Sequence, residues 1–299
     1  MYDKFEYLLA LEKEKHFGRA AQTCGVSQPN LSAALKQLEL QFGVLLVDRG
    51  ARFMGFTPEG LRILDWARCI VGEFRAMNAE IELMKQGNAG HLRIAVIPTA
   101  LPILSLLTNA YWVRHPGVHV TIATCTSAEL LSRLENIEAD VGISYIDEEP
   151  GGRNAELPLY HERYCLVGLR SLPFMDQATV TWDEVATLPL CLPLQDTKNR
   201  RIYDRIFQEV GAAVQPALEC NDSTVRLSHL RAGRLATVMP RIMAGDWSMP
   251  PELAAVPIVA PEASTMIGLI YPKRDPMPAL TVALVNEARL LVPVLTAMA

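Results

Sequence analysis

The sequence predicts an α+β protein of several domains: an N-terminal winged helix-turn-helix, a long linker helix and a C-terminal, two-lobed α/β domain. A glycine turn joins two amphipathic helices near the start, a heptad pattern of apolar residues follows, and strands alternate with helices beyond residue 90. The length of 299 residues suits about two domains. We expect the boundaries to be 1–58, 59–89, 90–162 (lobe I, completed by 268–299) and 163–267 (lobe II).

The composition is that of a globular protein. The chain has 28 Lys and Arg and 33 Asp and Glu, and half of its residues are hydrophobic. This composition excludes collagen, disordered and strongly basic chains. From Ile94 to Val113 there are 20 uncharged residues, but prolines and polar side chains interrupt them, so we predict a strand, a turn and a helix. We read no secretory signal in the first residues, and expect a cytoplasmic protein without a membrane partner.

The first 43 residues predict three helices. Apolar residues at helical spacing indicate a first helix over residues 3–15, and a short alanine-containing helix covers 18–24. The turn at 25–27 holds a glycine that can end one helix and a serine that can cap the next. Leucines beginning at Leu31 form the buried stripe of the third helix. Two helices joined by a three-residue glycine turn make a helix-turn-helix.

Polar residues at the start of the third helix favour DNA recognition over an ordinary helical hairpin, because recognition helices present their N-terminal residues to base edges. Gln and Asn can pair with adenine, and Ser can bond a base or a phosphate. Two extended runs after Gly43 indicate a hairpin wing, whose arginines can enter a minor groove or grip phosphate. For Arg49 a structural ion pair is an even alternative. The candidate DNA contacts are Ser27, Gln28, Pro29, Asn30, Ser32, Lys36, Arg49 and Arg52.

The motif residues of this region keep fixed spacings: Ala20-Ala21, Val26-Ser27-Gln28-Pro29-Asn30-Leu31-Ser32, Leu35-Lys36-Gln37-Leu38-Glu39, Phe42-Gly43, Leu46, Arg49, Arg52 and Thr57-Pro58-Glu59-Gly60. The pattern resembles the winged helix-turn-helix of the LysR-type transcriptional regulators. The resemblance implies a DNA-binding regulator with double-stranded DNA and RNA polymerase as partners. His16, Cys24, Val47 and Phe56 depart from the family pattern, and only His16 changes a polar contact.

A linker helix is predicted from Thr57-Pro58 to about Gln86. Its apolar residues are spaced alternately by four and three, a heptad seam that buries best against a second copy of the helix. A helix packed on its own domain is the alternative. A dimer would hold two recognition helices on two DNA half-sites, and the resemblance implies that two dimers often join as a homotetramer. The seam comprises Ile63, Ala67, Ile70, Phe74, Met77, Ile81 and Met84.

Strands and helices alternate from His91 onward. We predict strands at 92–97, 118–123 and 139–144 with helices at 101–113 and 128–136, in a parallel, doubly wound sheet. Right-handed crossovers place the strand ends and the following helix starts on one edge, where an anion can bind. A second lobe begins near Tyr164, and two crossing strands would leave a cleft between the lobes.

This order of elements resembles the effector-binding domain of the LysR-type family, which is similar in fold to bacterial solute-binding (periplasmic-binding-protein-like) domains. It implies a small-molecule co-inducer, anionic in our interpretation, that shifts the population of lobe arrangements. Arg200-Arg201 could pair with such an anion, with a solvated helix start as the alternative. By position, the candidate effector contacts are Pro98, Thr99, Ala100, Thr126, Ser127, Tyr145, Thr197, Asn199, Arg200 and Thr224.

Three alternatives compete with this prediction. A redox-responsive regulator of the same architecture would use Cys165, Cys191 and Cys220, although six reduced thiols without a C-x-x-C motif are favoured. A solute-binding protein is a weaker alternative, because it would need an export signal, which we do not read in the first residues. It would also leave residues 1–60 without a role. An enzyme is not expected, because the six histidines are scattered and stand near no triad, metal or phosphate-loop pattern. We expect no cofactor and no metal.

Overall fold

The computed structural model describes residues 1–49, 53–86, 90–146, 152–246 and 249–298. The chain forms two compact units. Unit 1 holds residues 1–91 and 132–139, and unit 2 holds 92–131 and 140–299. The first elements of unit 1 are α1 (Tyr2–Glu14), α2 (Phe17–Thr23), α3 (Gln28–Phe42), β1 (Val47–Arg49), β2 (Phe53–Phe56) and α4 (Pro58–Gln86).

The predicted helix-turn-helix is confirmed, and its boundaries have local causes. Gly25 has φ +67°, the left-handed conformation that a residue with a Cβ rarely adopts, and it lies in the turn between α2 and α3. Ser27 accepts a hydrogen bond from the Asn30 N–H at 3.4 Å and thereby caps α3. The helix ends at Gly43, which is also left-handed, with φ 70°.

Small side chains let the three helices approach. Ala20 and Ala21 are 0 % and 2 % exposed, so a larger residue at either position would have to displace a neighbouring helix. The core of these helices comprises Phe5, Leu8, Leu9, Leu11, Ala20, Ala21, Leu31, Leu35 and Leu38.

The wing is a two-stranded antiparallel hairpin, in which Val47 of β1 pairs with Phe56 of β2. Glu39 of α3 fastens it, because its buried carboxylate accepts hydrogen bonds from the backbone N–H groups of Leu46 and Val47 at 3.0 and 3.3 Å. Glu39 is one of the motif residues, but the motif alone does not indicate this contact. Its contacts fix the orientation of the wing relative to α3.

The linker helix α4 is 29 residues long, as predicted. The Thr57 hydroxyl caps it by accepting a hydrogen bond from the Gly60 N–H at 2.9 Å. Gly60 has no room for a side chain, because an added Cβ would lie 2.0 Å from the carbonyl oxygen of Leu46. The start of α4 therefore lies directly against the segment that leads into the wing.

The predicted heptad seam of α4 divides into two parts. Ala67 is buried and Ile63 packs against the core of unit 1, so these two residues do not belong to a free surface. Their neighbours further along the helix remain exposed, and the side chain of Met84 lies outside the described residues. The exposed part comprises Ile70, Phe74, Met77 and Ile81, with exposures of 42 %, 40 %, 46 % and 39 %.

Unit 2 is an α/β structure whose first three strands alternate with helices as predicted. Its elements are β3 (Gly90–Val96), α5 (Leu101–Arg114), β4 (Val118–Thr124), α6 (Ser127–Glu135), β5 (Val141–Tyr145), β6 (Asn154–Leu169), β7 (Val180–Thr181), α7 (Trp182–Ala186), β8 (Cys191–Leu192), α8 (Lys198–Glu209), β9 (Leu218–Glu219), α9 (Ser223–Arg231), β10 (Thr237–Pro240), α10 (Arg241–Asp246), β11 (Leu253–Val259), β12 (Ser264–Pro272) and α11 (Ala279–Met298). The last residues of α6 belong to the part of the chain assigned to unit 1.

The main sheet has eight strands in the order β4-β3-β5-β12-β6-β11-β7, with β10 also pairing with β6. β3 and β5 are parallel, but β12 is antiparallel to both β5 and β6. The parallel pairing of β3 with β5 agrees with the parallel sheet predicted for the first strands of this unit. The whole length of β12 pairs antiparallel with β6, and no direction was predicted for either of these two strands.

The uncharged stretch at 94–113 forms the end of β3, a 3-10 turn (Pro98–Ala100) and α5, as predicted. The C-terminal α11 is long and apolar enough to cross a membrane by length and composition alone. It contacts α5 and β6, and its buried Glu287 forms an ion pair with Arg114. These contacts are those of a core helix of an α/β unit.

Candidate functional site

The N-terminal end of α3 presents polar side chains at the surface of unit 1. Gln28 and Asn30 are exposed, and Ser32 one turn further is half-buried. Lys36 is exposed two turns into the helix. The predicted contacts Ser27 and Pro29 are exposed as well, and Ser27 also serves as the helix cap. The structure thus brings six of the eight predicted DNA contacts together at one helix tip and its first turns.

His16 has a defined backbone contact at this surface. Its Nδ1 accepts hydrogen bonds from the N–H groups of Gly18 and Arg19 at 3.1 and 3.3 Å and caps α2. A Cβ added to Gly18 would lie 3.1 Å from the His16 ring and 3.4 Å from Oε1 of Gln28. The histidine that departs from the family pattern therefore lies next to the tip of α3.

The wing arginines cannot be placed in the same way. Arg49 is the last residue of β1 and its backbone pairs with Phe53, but its side chain is outside the described atoms. Arg52 lies outside the described residues altogether. Their DNA contacts stay predictions.

A cavity of about 200 Å³ lies in unit 2, where β3, β4 and β5 end and α6, α8 and α9 begin. This is the sheet edge that the order of strands predicted. Seven predicted effector contacts line it: Pro98, Thr99, Thr126, Ser127, Tyr145, Thr197 and Asn199. The other lining residues are Ile97, Thr124, Cys125, Glu129, Pro193, Lys198, Asn221 and Arg226.

Three predicted effector contacts do not line the cavity. Ala100 is fully buried in the 3-10 turn, and Thr224 is an exposed residue of the first turn of α9. Arg200 is 3 % exposed, and its guanidinium is ion-paired with Asp204 at 2.8 Å and with Glu219. The proposed role of Arg200 in binding an anion does not fit this arrangement, because two carboxylates already neutralise it.

A buried hydrogen-bond network lies behind the cavity. The hydroxyls of Tyr145 and Thr99 are 3.2 Å apart, and Tyr145 donates to Oε1 of Glu162 at 3.1 Å. Glu162 is 1 % exposed, and burial raises the pKa of its carboxyl to about 8. Lys198 lies over the Tyr145 ring, 5.9 Å from its centre. Glu162 lies within a long strand and matches no motif, so the sequence alone does not indicate it as a functional residue.

Arg226 of α9 was also missed. It lines the cavity and is 3 % exposed. Nη2 donates to Oγ of Ser223 at 3.1 Å, while Nε and Nη1 have no hydrogen-bond partner among the residues that the structure describes. The available signal was its position three residues beyond the Asp222-Ser223-Thr224 segment that opens the helix.

The cysteines are free thiols, and two of those considered for redox chemistry are deeply buried. Burial raises the pKa of Cys165 to about 12 and that of Cys191 to about 11. Because the thiolate is the reactive form, both groups are poor nucleophiles near neutral pH. Within the described ranges no cluster of three His, Cys, Asp or Glu side chains could hold a metal ion.

Sequence families match both units. Residues 2–61 match the bacterial regulatory helix-turn-helix protein of the lysR family. Residues 85–290 match the LysR substrate binding domain. Together the two matches cover nearly the whole chain.

Curated relatives align along the same length. The DNA-binding transcriptional dual regulator OxyR of Escherichia coli is 28 % identical over 283 residues, which cover 91 % of this chain and 89 % of the relative. The hydrogen peroxide-inducible genes activator of Dickeya chrysanthemi is 29 % identical over 278 residues, covering 91 % and 89 %. A probable nitrogen assimilation transcriptional activator of Synechococcus elongatus is 24 % identical over 279 residues, again covering 91 % and 89 %.

Solved structures show the same fold. A full-length OxyR variant from Pseudomonas aeruginosa superimposes with a TM-score of 0.72 at 22 % identity, covering 97 % of this chain and 98 % of the other. Full-length CbnR in complex with its target DNA gives a TM-score of 0.62 at 22 % identity, covering 97 % and 99 %. With the matches to both of its units, the chain belongs to the LysR family of DNA-binding transcriptional regulators.

Proposed function

We propose that this regulator binds promoter DNA in the cytoplasm through the tip of α3 and the wing, and that a small anionic co-inducer in the cavity of unit 2 controls the binding. We assign it no enzymatic role, and RNA polymerase is the partner through which bound protein would act. The exposed, capped tip of α3 carries the proposal.

The chemistry of the tip suits the major groove. Gln28 and Asn30 carry amide groups that can donate to and accept from one base, and Ser32 can bond a base or a phosphate. The ammonium of Lys36 lies further along the exposed side of α3, where it can neutralise a phosphate. Contacts to phosphates position the protein and contacts to bases specify the sequence.

A dimer follows from the exposed part of the α4 seam. Ile70, Phe74, Met77 and Ile81 repeat at intervals of four, three and four residues, and each is about two-fifths exposed. A second copy of α4 offers an equally long apolar surface, and pairing would remove both from water. Two α3 tips held on one assembly would bind two half-sites, and two dimers would form the homotetramer.

Ligand control requires that the co-inducer bind one arrangement of unit 2 more tightly than another. The cavity is lined from several elements, so a bound ligand can change how these elements pack. We favour this control over thiol oxidation. Burial raises the pKa of Cys165 and of Cys191, although relatives are named for induction by hydrogen peroxide.

The direct test is DNA binding by a double variant of the α3 tip. Fluorescence anisotropy with the DNA upstream of a neighbouring gene would compare wild type with Gln28→Ala/Ser32→Ala. We expect the variant to bind at least about tenfold more weakly, because each lost pair with a base costs about 1–3 kcal/mol.

Gln41→Ala is the matched control, because Gln41 is exposed at the far end of the same helix. It should bind like wild type. Equal affinities for wild type and the double variant would remove the recognition role of α3.

A further inference from the structure

Arg226 is a buried cation that forms no ion pair with the described residues. It is 3 % exposed, as is Arg200, but the two environments differ. Arg200 is paired with the carboxylates of Asp204 and Glu219, whereas no carboxylate among the described residues lies within 4.0 Å of the Arg226 guanidinium. An uncompensated buried charge destabilises a fold, so packing alone gives no reason for an arginine at this position.

The guanidinium retains hydrogen-bonding capacity at the cavity. Ser223 satisfies one N–H of Nη2, while Nε and Nη1 have no partner in the described part of the chain. These nitrogens together carry three N–H groups. Since Arg226 lines the cavity, a ligand bound there can accept from them.

The charges around the cavity also favour an anion. Its charged lining residues are Glu129, Lys198 and Arg226, which amount to a net charge of +1. The carboxylate of Glu129 is engaged, because it accepts from the N–H and the hydroxyl of Thr126 at 2.9 and 3.1 Å. The charged lining residues therefore carry a net positive charge, which attracts an anion.

The size and the remaining lining limit the ligand. The volume of about 200 Å³ is below the roughly 300–1,000 Å³ of pockets that hold drug-sized ligands, which favours a small ligand. Hydroxyls of Thr99, Thr126 and Ser127 line the cavity together with the apolar Ile97 and Pro98. A short organic molecule with one anionic end matches this lining.

We propose that Arg226 recognises the carboxylate group of a small organic acid bound in this cavity. The inference rests on the proposed function, since it assigns the ligand class of the same cavity and the residue that selects it. Arg226 then replaces Arg200 as the anion-binding arginine of the chain.

Thermal unfolding of the full-length protein at constant ionic strength tests the assignment. The probes are millimolar acetate, benzoate and succinate, each compared with its neutral amide. A ligand that binds only the folded state raises the Tm by mass action. We expect at least one carboxylate to raise the wild-type Tm above the value with its amide, and expect Arg226→Met to abolish that difference.

Two further variants separate recognition from structure. Arg231→Met removes an exposed arginine of the same helix and should keep the full carboxylate effect. Arg226→Lys retains the charge and should keep part of it. Without carboxylate, R226M should melt at or above the wild-type Tm, because it removes an unpaired buried charge. Should R226M not fold, Arg226→Gln, which can still bond Ser223, takes its place.

The proposal is overturned if the carboxylate effect is equal in wild type and R226M, including the case in which no carboxylate has an effect on either. DNA binding separates this failure from a failure of the proposed function. Without carboxylate, Arg231→Met should bind DNA like wild type, and the α3 double variant, which loses DNA affinity, should keep the carboxylate effect on its Tm.

Discussion

At the scale of single residues, the buried carboxyl of Glu162 shows how its surroundings change the chemistry of a titratable group. Tyr145 donates to one of its oxygens, and the other has no partner among the described residues. Burial disfavours the ionised form, which raises the pKa from the ordinary value of 4.5 to about 8. In the folded protein Glu162 is therefore mostly protonated at neutral pH.

This protonation predicts a pH dependence of stability. Between about 4.5 and about 8 the folded state holds a proton that the unfolded state has lost, so the contribution of Glu162 to the free energy of unfolding falls as pH rises through this window. Glu162→Gln stays neutral and lacks this fall. Urea unfolding should show that the free energy of unfolding of the variant increases relative to that of wild type as pH rises through this window. At about 1.4 kcal/mol per pKa unit, the difference should reach a few kcal/mol at the upper end.

Glu209→Gln provides the comparison, because it removes an exposed carboxylate of α8. It should follow the wild-type profile. If Glu162→Gln also ran parallel to wild type, Glu162 would have to be ionised in the folded protein.

Residue-scale prediction from the sequence succeeded where chemistry is local. Ser27 and Thr57 cap the helices that follow them, since a cap depends on the next three residues only. Glu162 and Arg226 could not be found in this way. Their importance comes from burial and from partners distant in sequence, such as Tyr145, which neither residue type nor spacing indicates.

At the scale of elements, α4 has two apolar faces, one buried and one exposed. Leu64, Ala67 and Val71 are buried in unit 1, while Ile70 and Phe74 are exposed on another face. The heptad spacing predicted one continuous seam. The spacing does not show which seam residues are free to pair with a second helix. The first of them, Ile63 and Ala67, pack in the core of unit 1.

The exposed face predicts the oligomeric state. Replacing Ile70 and Phe74 together by glutamate would place two charges in the helix pair, where burial of an unpaired charge is costly. Sedimentation velocity should show a smaller species than wild type. Glu73→Lys, which changes charge at an exposed neighbouring position, should sediment like wild type. A wild-type protein that is already monomeric would contradict the seam.

At the scale of the whole molecule, the order of elements was predictable because periodicity and turn residues are recorded along the chain. Both units follow that order, and the cavity lies at the predicted edge of the sheet. Strand direction was not predictable to the same degree. The antiparallel pairing of β6 with β12 depends on two segments about a hundred residues apart, and no local pattern specifies it.

The 16-residue strand β6 has a consequence for how unit 2 comes apart. Nine of its first ten residues, Asn154 to Arg163, pair with β12, and its last six, Tyr164 to Leu169, pair with β10 and β11. Unfolding of either half of unit 2 therefore breaks backbone hydrogen bonds to β6, a strand that the other half also uses. We expect hydrogen–deuterium exchange to give both ends of β6 the same slow opening rate; a fast end beside a slow one would mean that the halves unravel independently.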